Sequence, residues 1–103
     1  MWAQLITIRF KPGKEDALTE IIDQLQAAEQ PDSGFLRQIA MRDQDDPDRF
    51  LVLALFESEE KARMRESDPR REEGLKAIRA AMAESLDGAP EFTNLGVVSE
   101  LTP

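Results

Sequence analysis

Residues Arg49 to Glu60 read RFLVLALFESEE. Phe50 to Phe56 is seven apolar residues without a break, too short to cross a membrane and short for a helix, which predicts a strand. The chain then changes character within a few residues: Ser58 is a natural helix N-cap, and Glu59 and Glu60 suit the positive end of a helix dipole. A strand with one wet face alternates apolar and polar residues, and this one does not. Phe50, Val52, Ala54 and Phe56 fall on one side; Leu51, Leu53 and Leu55 fall on the other. Both faces of the strand therefore need cover.

Working outward, Trp2 to Phe10 (WAQLITIRF) predicts a first strand, closed by Pro12-Gly13. From Lys14 to Glu29, Leu18, Ile21, Ile22, Leu25 and Ala28 recur at steps of three and four, the stripe of an amphipathic helix. Pro31-Asp32-Ser33-Gly34 turns the chain into a second strand, Phe35 to Arg42. The Asp43–Asp48 segment, DQDDPD, predicts a hairpin turn into the central strand. A short charged helix over Glu59 to Glu66 follows. Asp68 as N-cap and Pro69 at the first helical position begin another helix, carrying Leu75, Ile78, Met82 and Leu86 on one side. Gly88-Ala89-Pro90 ends it, and Phe92 to Glu100 predicts a fourth strand.

The composition narrows the chemistry. The 103 residues predict a single domain over 1–103, 41% hydrophobic and 33% charged, as in soluble globular proteins. A net charge of −8 opposes binding to nucleic acid or an anionic membrane, both of which need clustered Lys and Arg. Cysteine, histidine and tyrosine are all absent. Thiol nucleophiles and disulfides are excluded, along with the commonest general base and metal ligand. Asp43, Asp45, Asp46 and Asp48 lack the spacing, the glycine and the closing glutamate of a calcium loop, and read as a turn. No metal site is expected. The N-terminus carries no export signal, so a cytoplasmic location is expected.

The order β-α-β-β-α-α-β predicts an α+β ferredoxin-like sandwich, a four-stranded antiparallel sheet with helices on one face. The helices cover one face only. Leu5, Leu51, Leu53 and Leu55 are left on the other, with Leu95 and Val97 or their neighbours. Exposing that patch would leave roughly several hundred Å² of apolar surface in water, more than a monomer usually tolerates. A homodimer joined through this sheet face is the expected cover.

Lys11-Pro12-Gly13-Lys14-Glu15, Gly34-Phe35-Leu36, Asp46-Pro47-Asp48-Arg49-Phe50, Phe56-Glu57-Ser58-Glu59-Glu60 and Ser67-Asp68-Pro69 appear in an order and spacing that resembles a known family. The chain is similar, over nearly its full length, to the antibiotic biosynthesis monooxygenase domain of the dimeric α/β-barrel superfamily. The resemblance implies a barrel of two sheets in a homodimer, and in each subunit a pocket between sheet and long helices. One branch of that family oxidises phenols or quinols with O2 and no cofactor, another degrades haem, and a third works on small signalling metabolites. The haem branch's Asn, Trp and His positions correspond here to Ile6, Met64 and Gly74. None matches, and a chain without histidine offers haem iron no imidazole. A frequent family aromatic at the end of the third strand is Phe56 here.

Cofactor-free oxygenation asks the protein to hold an electron-rich phenol or quinol in a dry pocket, orient it and stabilise its anion. The expected wall is Ile6, Ile8, Val52 and Phe56 from the sheet, facing Met64, Gly74, Leu75 and Ile78 from the helices. The same residues also suit an ordinary core. Gly74, inside a helix, signals either close packing or space for a ligand. Asn94 is a candidate donor to a quinol oxygen, or else a solvent-facing edge residue. Arg63, Arg65, Arg70 and Arg71 are either a solvated face paired with nearby glutamates or the source of one arginine over the pocket mouth. Trp2 lines a pocket or plugs an end of the sheet. The leading expectation is a cofactor-independent monooxygenase acting on a small aromatic, phenolic or quinol substrate. The alternatives are a non-catalytic dimer binding a small apolar metabolite, and a plain dimerisation scaffold.

Overall fold

A computed structural model describes residues 1–103. The apolar run becomes β3 (Arg49–Phe56), one of two central strands of a four-stranded sheet in the order β2-β3-β1-β4. β1 (Trp2–Arg9) lies antiparallel to it, in register from Trp2 opposite Phe56 to Arg9 opposite Arg49. β2 (Phe35–Arg42) flanks β3, with an irregularity at Leu36, and β4 (Glu91–Gly96) flanks β1. Three helices connect them: α1 (Ala17–Ala28), α2 (Glu59–Glu66) and α3 (Glu72–Ser85), the last preceded by a single 3-10 turn, Pro69–Arg71. This is the α+β ferredoxin-like sandwich.

Local chemistry explains the joints. Ser58 caps α2, its hydroxyl accepting from the Lys61 amide at 3.1 Å. Asp68 caps the 3-10 turn, accepting from the Arg70 amide at 2.9 Å. The aspartate-rich turn folds on itself: the Asp45 amide donates to Asp43 at 2.9 Å, while Arg49 and Arg9 pair with Asp43 and Asp46. Gly34, at φ +80°, makes the bend before β2, and its carbonyl accepts from the Glu57 amide at 2.9 Å.

β3 alternates as its sequence requires: Phe50, Val52, Ala54 and Phe56 are buried, and Leu51, Leu53 and Leu55 are half-buried. The main core joins Ile8, Phe10 and Phe50 to Ile21, Ile78 and Leu86, with Phe10 and Phe50 edge to face at 5.3 Å. A smaller core gathers Trp2, Ala54, Phe56 and Ala62. Trp2 therefore plugs one end of the sheet, its ring 5.8 Å from that of Phe56.

Several boundaries differ from expectation. α1 begins at Ala17 rather than Lys14, because Pro12-Gly13 is followed by a separate turn. Phe10 and Leu86 leave β1 and α3 to pair with each other in an isolated antiparallel bridge. β4 stops at Gly96 rather than Glu100. Gly96 already stands opposite Trp2, the first residue of β1, so later residues find no partner strand. Val98 and Leu101 are consequently almost fully exposed.

The face turned away from the helices carries Leu51, Leu53 and Leu55 of β3 and Leu5 of β1. By register, Ile39 and Met41 of β2 and Leu95 of β4 join them. Val97 lies beyond the strand.

Candidate functional site

α1 and α3 pack against each other at one end, where the Ala28 Cβ lies 2.7 Å from where a Cβ on Gly74 would stand. Gly74 is thus a point of helix contact, not a space left for a ligand. Between the helices and the sheet lies a cavity of about 500 Å³. Ile6, Ile8 and Val52 form its sheet side, Leu18, Ile21, Ile22 and Leu25 come from α1, and Leu75, Ile78 and Met82 from α3. Phe92, 59% exposed on β4, stands where this lining reaches the surface. An apolar cavity of this size suits a small aromatic molecule.

Of the expected wall, Ile6, Ile8, Val52, Leu75 and Ile78 come together here. Phe56 does not: it is 3% exposed within the smaller core, behind Trp2 and Phe35. Met64 is 65% exposed, because α2 turns only Ala62 fully inward. Asn94 lies on the sheet face shared with Gln4, but on an edge strand that is exposed along its whole length. Its Oδ1 accepts from Gln4 Nε2 at 3.2 Å, and it is Gln4 that lines the cavity. Gln4, Gln38, Glu29, Arg79, Met82 and Phe92 were not among the candidates. Gln4 was visible as the lone amide on the otherwise apolar Trp2–Ile8 face of β1, whereas Gln38 shares its face of β2 with Arg42.

The polar wall comes from the α2–α3 junction. Arg65 and Arg71 turn inward, whereas Arg63 and Arg70 belong to a solvated, ion-paired surface. Arg65 grips Glu29 at the end of α1, with Nε 3.0 and 2.9 Å from its two carboxylate oxygens and Nη2 2.6 Å from one of them. Its guanidinium also sits 5.2 Å from the centres of both the Phe35 and Phe56 rings. Ser33 donates to the same carboxylate. Burial pushes the Glu29 carboxyl up, but the hydrogen bonds from Arg65 and Ser33, with the charges of Arg65 and Arg71, outweigh it. The net result is below the ordinary value.

Arg71 is 3% exposed. Its Nη1 donates to the Arg65 carbonyl at 3.2 Å, and its buried Nε has no partner. Burial, then the neighbouring charge of Arg65, lowers its pKa, against the pull of Glu29, Asp68 and Glu66. An adjoining cleft of about 430 Å³ shares Ile22, Leu25, Gln38 and Arg65 with the cavity, so the Arg65–Glu29 pair stands between the two. No group of three or more acidic side chains comes together to hold a metal ion. No helix is long and apolar enough to cross a membrane.

The family model for antibiotic biosynthesis monooxygenases matches residues 1–72. No curated protein matches the sequence. Among solved structures, a variant of SnoaB, a cofactor-independent oxygenase from Streptomyces nogalater, is similar at 15% identity and TM-score 0.74, over 99% of this chain and 97% of that one. Rv0793 from Mycobacterium tuberculosis is similar at 17% identity and TM-score 0.74, over 98% of each chain. A Nitrosomonas europaea protein named for antibiotic biosynthesis monooxygenases is similar at 18% identity and TM-score 0.73, over 96% and 100%. Identities this low speak for the fold alone.

Proposed function

The chain belongs to the antibiotic biosynthesis monooxygenase family, and from that premise we propose a cofactor-independent monooxygenase of the cytoplasm. It oxidises a small aromatic, phenolic or quinol substrate with O2 in the cavity between sheet and helices. The observation that carries this reading is the cavity itself, about 500 Å³ and walled by apolar side chains from β1, β3, α1 and α3. Such a space suits one aromatic ring system, held against apolar side chains.

The reaction needs no outside reductant. A phenol and O2 become a quinone and water: one oxygen atom enters the ring, the other leaves as water, and the substrate supplies all the electrons. The protein's part is to hold the ring beside O2 and to meet its oxygens with the Gln4 and Gln38 amides. Asn94 acts by holding Gln4 in place. Asn94→Ala should lower turnover severalfold without changing assembly; unaltered turnover removes it from the machinery.

Oxygen uptake by metal-stripped protein against a panel of reduced quinols and polyphenols is the test. Uptake that scales with protein and survives a chelator supports the oxygenase. A second reading, a binding protein without turnover, is favoured by the scarcity of proton-transfer groups. The only carboxylate lining the cavity, Glu66, lies 3.5 Å from the Arg63 guanidinium. Binding without uptake would select it.

The working unit is a homodimer joined through the leucine face. Leu5, Leu51, Leu53 and Leu55, half-buried, share with Ile39, Met41 and Leu95 an apolar sheet face that no helix of the subunit covers. A monomer by light scattering at micromolar concentration would overturn this.

A further inference from the structure

Arg71 is set into the wall of the cavity without a carboxylate partner. Every other arginine of the α2–α3 region has one: Arg63 with Glu59 and Glu66, Arg65 with Glu29, Arg70 with Asp32 and Asp68, Arg79 with Glu72. Arg71 is the most deeply buried of them and has only the Arg65 carbonyl, leaving a buried Nε–H unmatched. Burying a guanidinium is unfavourable unless charge and hydrogen bonds compensate it. The neighbouring Arg65 guanidinium, positive itself and already taken by Glu29, offers Arg71 no relief. The charged residues lining the cavity are three arginines, Arg65, Arg71 and Arg79, against Glu66 alone. In a chain of net charge −8 that excess is local and opposite in sign to the whole. One bond of Arg71 is accounted for by the fold: its Nη1 ties down the last turn of α2. That leaves the remaining N–H donors of the fork, which match the two oxygens of a carboxylate.

We propose that the ligand of this cavity is an aromatic carboxylate, whose two oxygens pair with the guanidinium of Arg71 while its ring lies among Ile6, Val52 and Leu75. The inference rests on the cavity being the ligand site and deepens that reading by fixing the charge of what enters. It does not need the ligand to be oxidised.

The test is calorimetric titration of the full chain, without O2, using 2-naphthoate, 2-naphthol and the neutral 2-naphthamide. The wild type is expected to bind naphthoate at least tenfold more tightly than the amide at pH 7. Arg71→Met is expected to erase that ratio, bringing the affinities for naphthoate and amide together. A purely structural Arg71 would lower stability but leave the ratio intact in the folded variant. Naphthoate binding is expected to stay flat from pH 6 to 9, and 2-naphthol, neutral at pH 7 because its hydroxyl ionises near pH 10, roughly as a phenol does, is expected to bind no more tightly than the amide. Equal wild-type affinities for acid and amide, or no binding of the acid, overturn the proposal. Should Arg71→Met fail to fold, Arg71→Lys keeps the charge and loses the fork, and a naphthoate preference undiminished in it overturns the bidentate pairing. Oxygen uptake is read separately, so a protein that binds naphthoate through Arg71 and consumes no O2 refutes the oxygenase and leaves this assignment standing.

Discussion

At residue scale, Gly74 and Glu29 make opposite demands on their surroundings. Alanine at position 74 would gain about 1 kcal/mol of helix propensity. Its Cβ, however, would stand 2.7 Å from that of Ala28, and overpacking of that kind costs about 1–3 kcal/mol. Gly74→Ala should therefore destabilise the chain by about 1 kcal/mol in denaturant titration, and adding Ala28→Gly should recover most of the loss. Glu29 has a folded-state pKa below its ordinary value, so its stabilisation is complete above about pH 4.5 and is lost as pH falls through the lower, folded value. Asp43, Asp46 and Asp68 are also shifted down, so the wild type loses stability over the same acid range for several reasons. The measurement is thus a difference: Glu29→Gln should cost about 2 kcal/mol at pH 7 and less as pH drops below 4, the two curves converging. Neither residue's role was legible in the same way. Gly74 announced itself as an anomaly in a helix, though its neighbour did not. Glu29 finds Arg65 through the fold, 36 positions along the chain, and no local pattern signals that. Arg71 was readable in hindsight, being in helical phase with Leu75, Ile78 and Met82, but its place in a charged run argued for a solvated face.

At the scale of elements, β3 and α2 mark the two ends of predictability. β3 was legible because an unbroken apolar run with β-branched and aromatic residues has only one economical home, a strand covered on both faces. α2 matched its expected bounds, Glu59 to Glu66, on capping alone, for it has no apolar stripe and buries only Ala62. Its inward arginine, Arg65, could not be told from its outward neighbours, so Met64 was misplaced. Ser58→Ala should cost about 1 kcal/mol and fray this helix first. Hydrogen exchange would show lost protection across α2 with β3 unchanged; uniform loss would mean that α2 melts only with the whole domain. The end of β4 was missed for a different reason: a strand stops where its partner stops, and Trp2 on β1 decides that for Gly96.

At the scale of the whole molecule, the sheet has helices on one face and leucines on the other. Leu53 lies in the middle of the uncovered face, opposite Leu5 on β1 and Ile39 on β2. Leu53→Lys should give a folded monomer by light scattering, with the helical content of the wild type; a persistent dimer would place the contact elsewhere. β3 carries a further implication through its alternation. On the proposed function, Val52 would touch what enters the cavity and Leu53, the next residue, would touch the partner subunit, so a single peptide unit would belong to both events. Thermodynamic reciprocity then applies: if an occupied cavity favours the paired subunit, pairing must favour an occupied cavity by the same factor. Where that coupling exists, diluting the protein weakens its apparent grip on a ligand, although no residue of the cavity has changed.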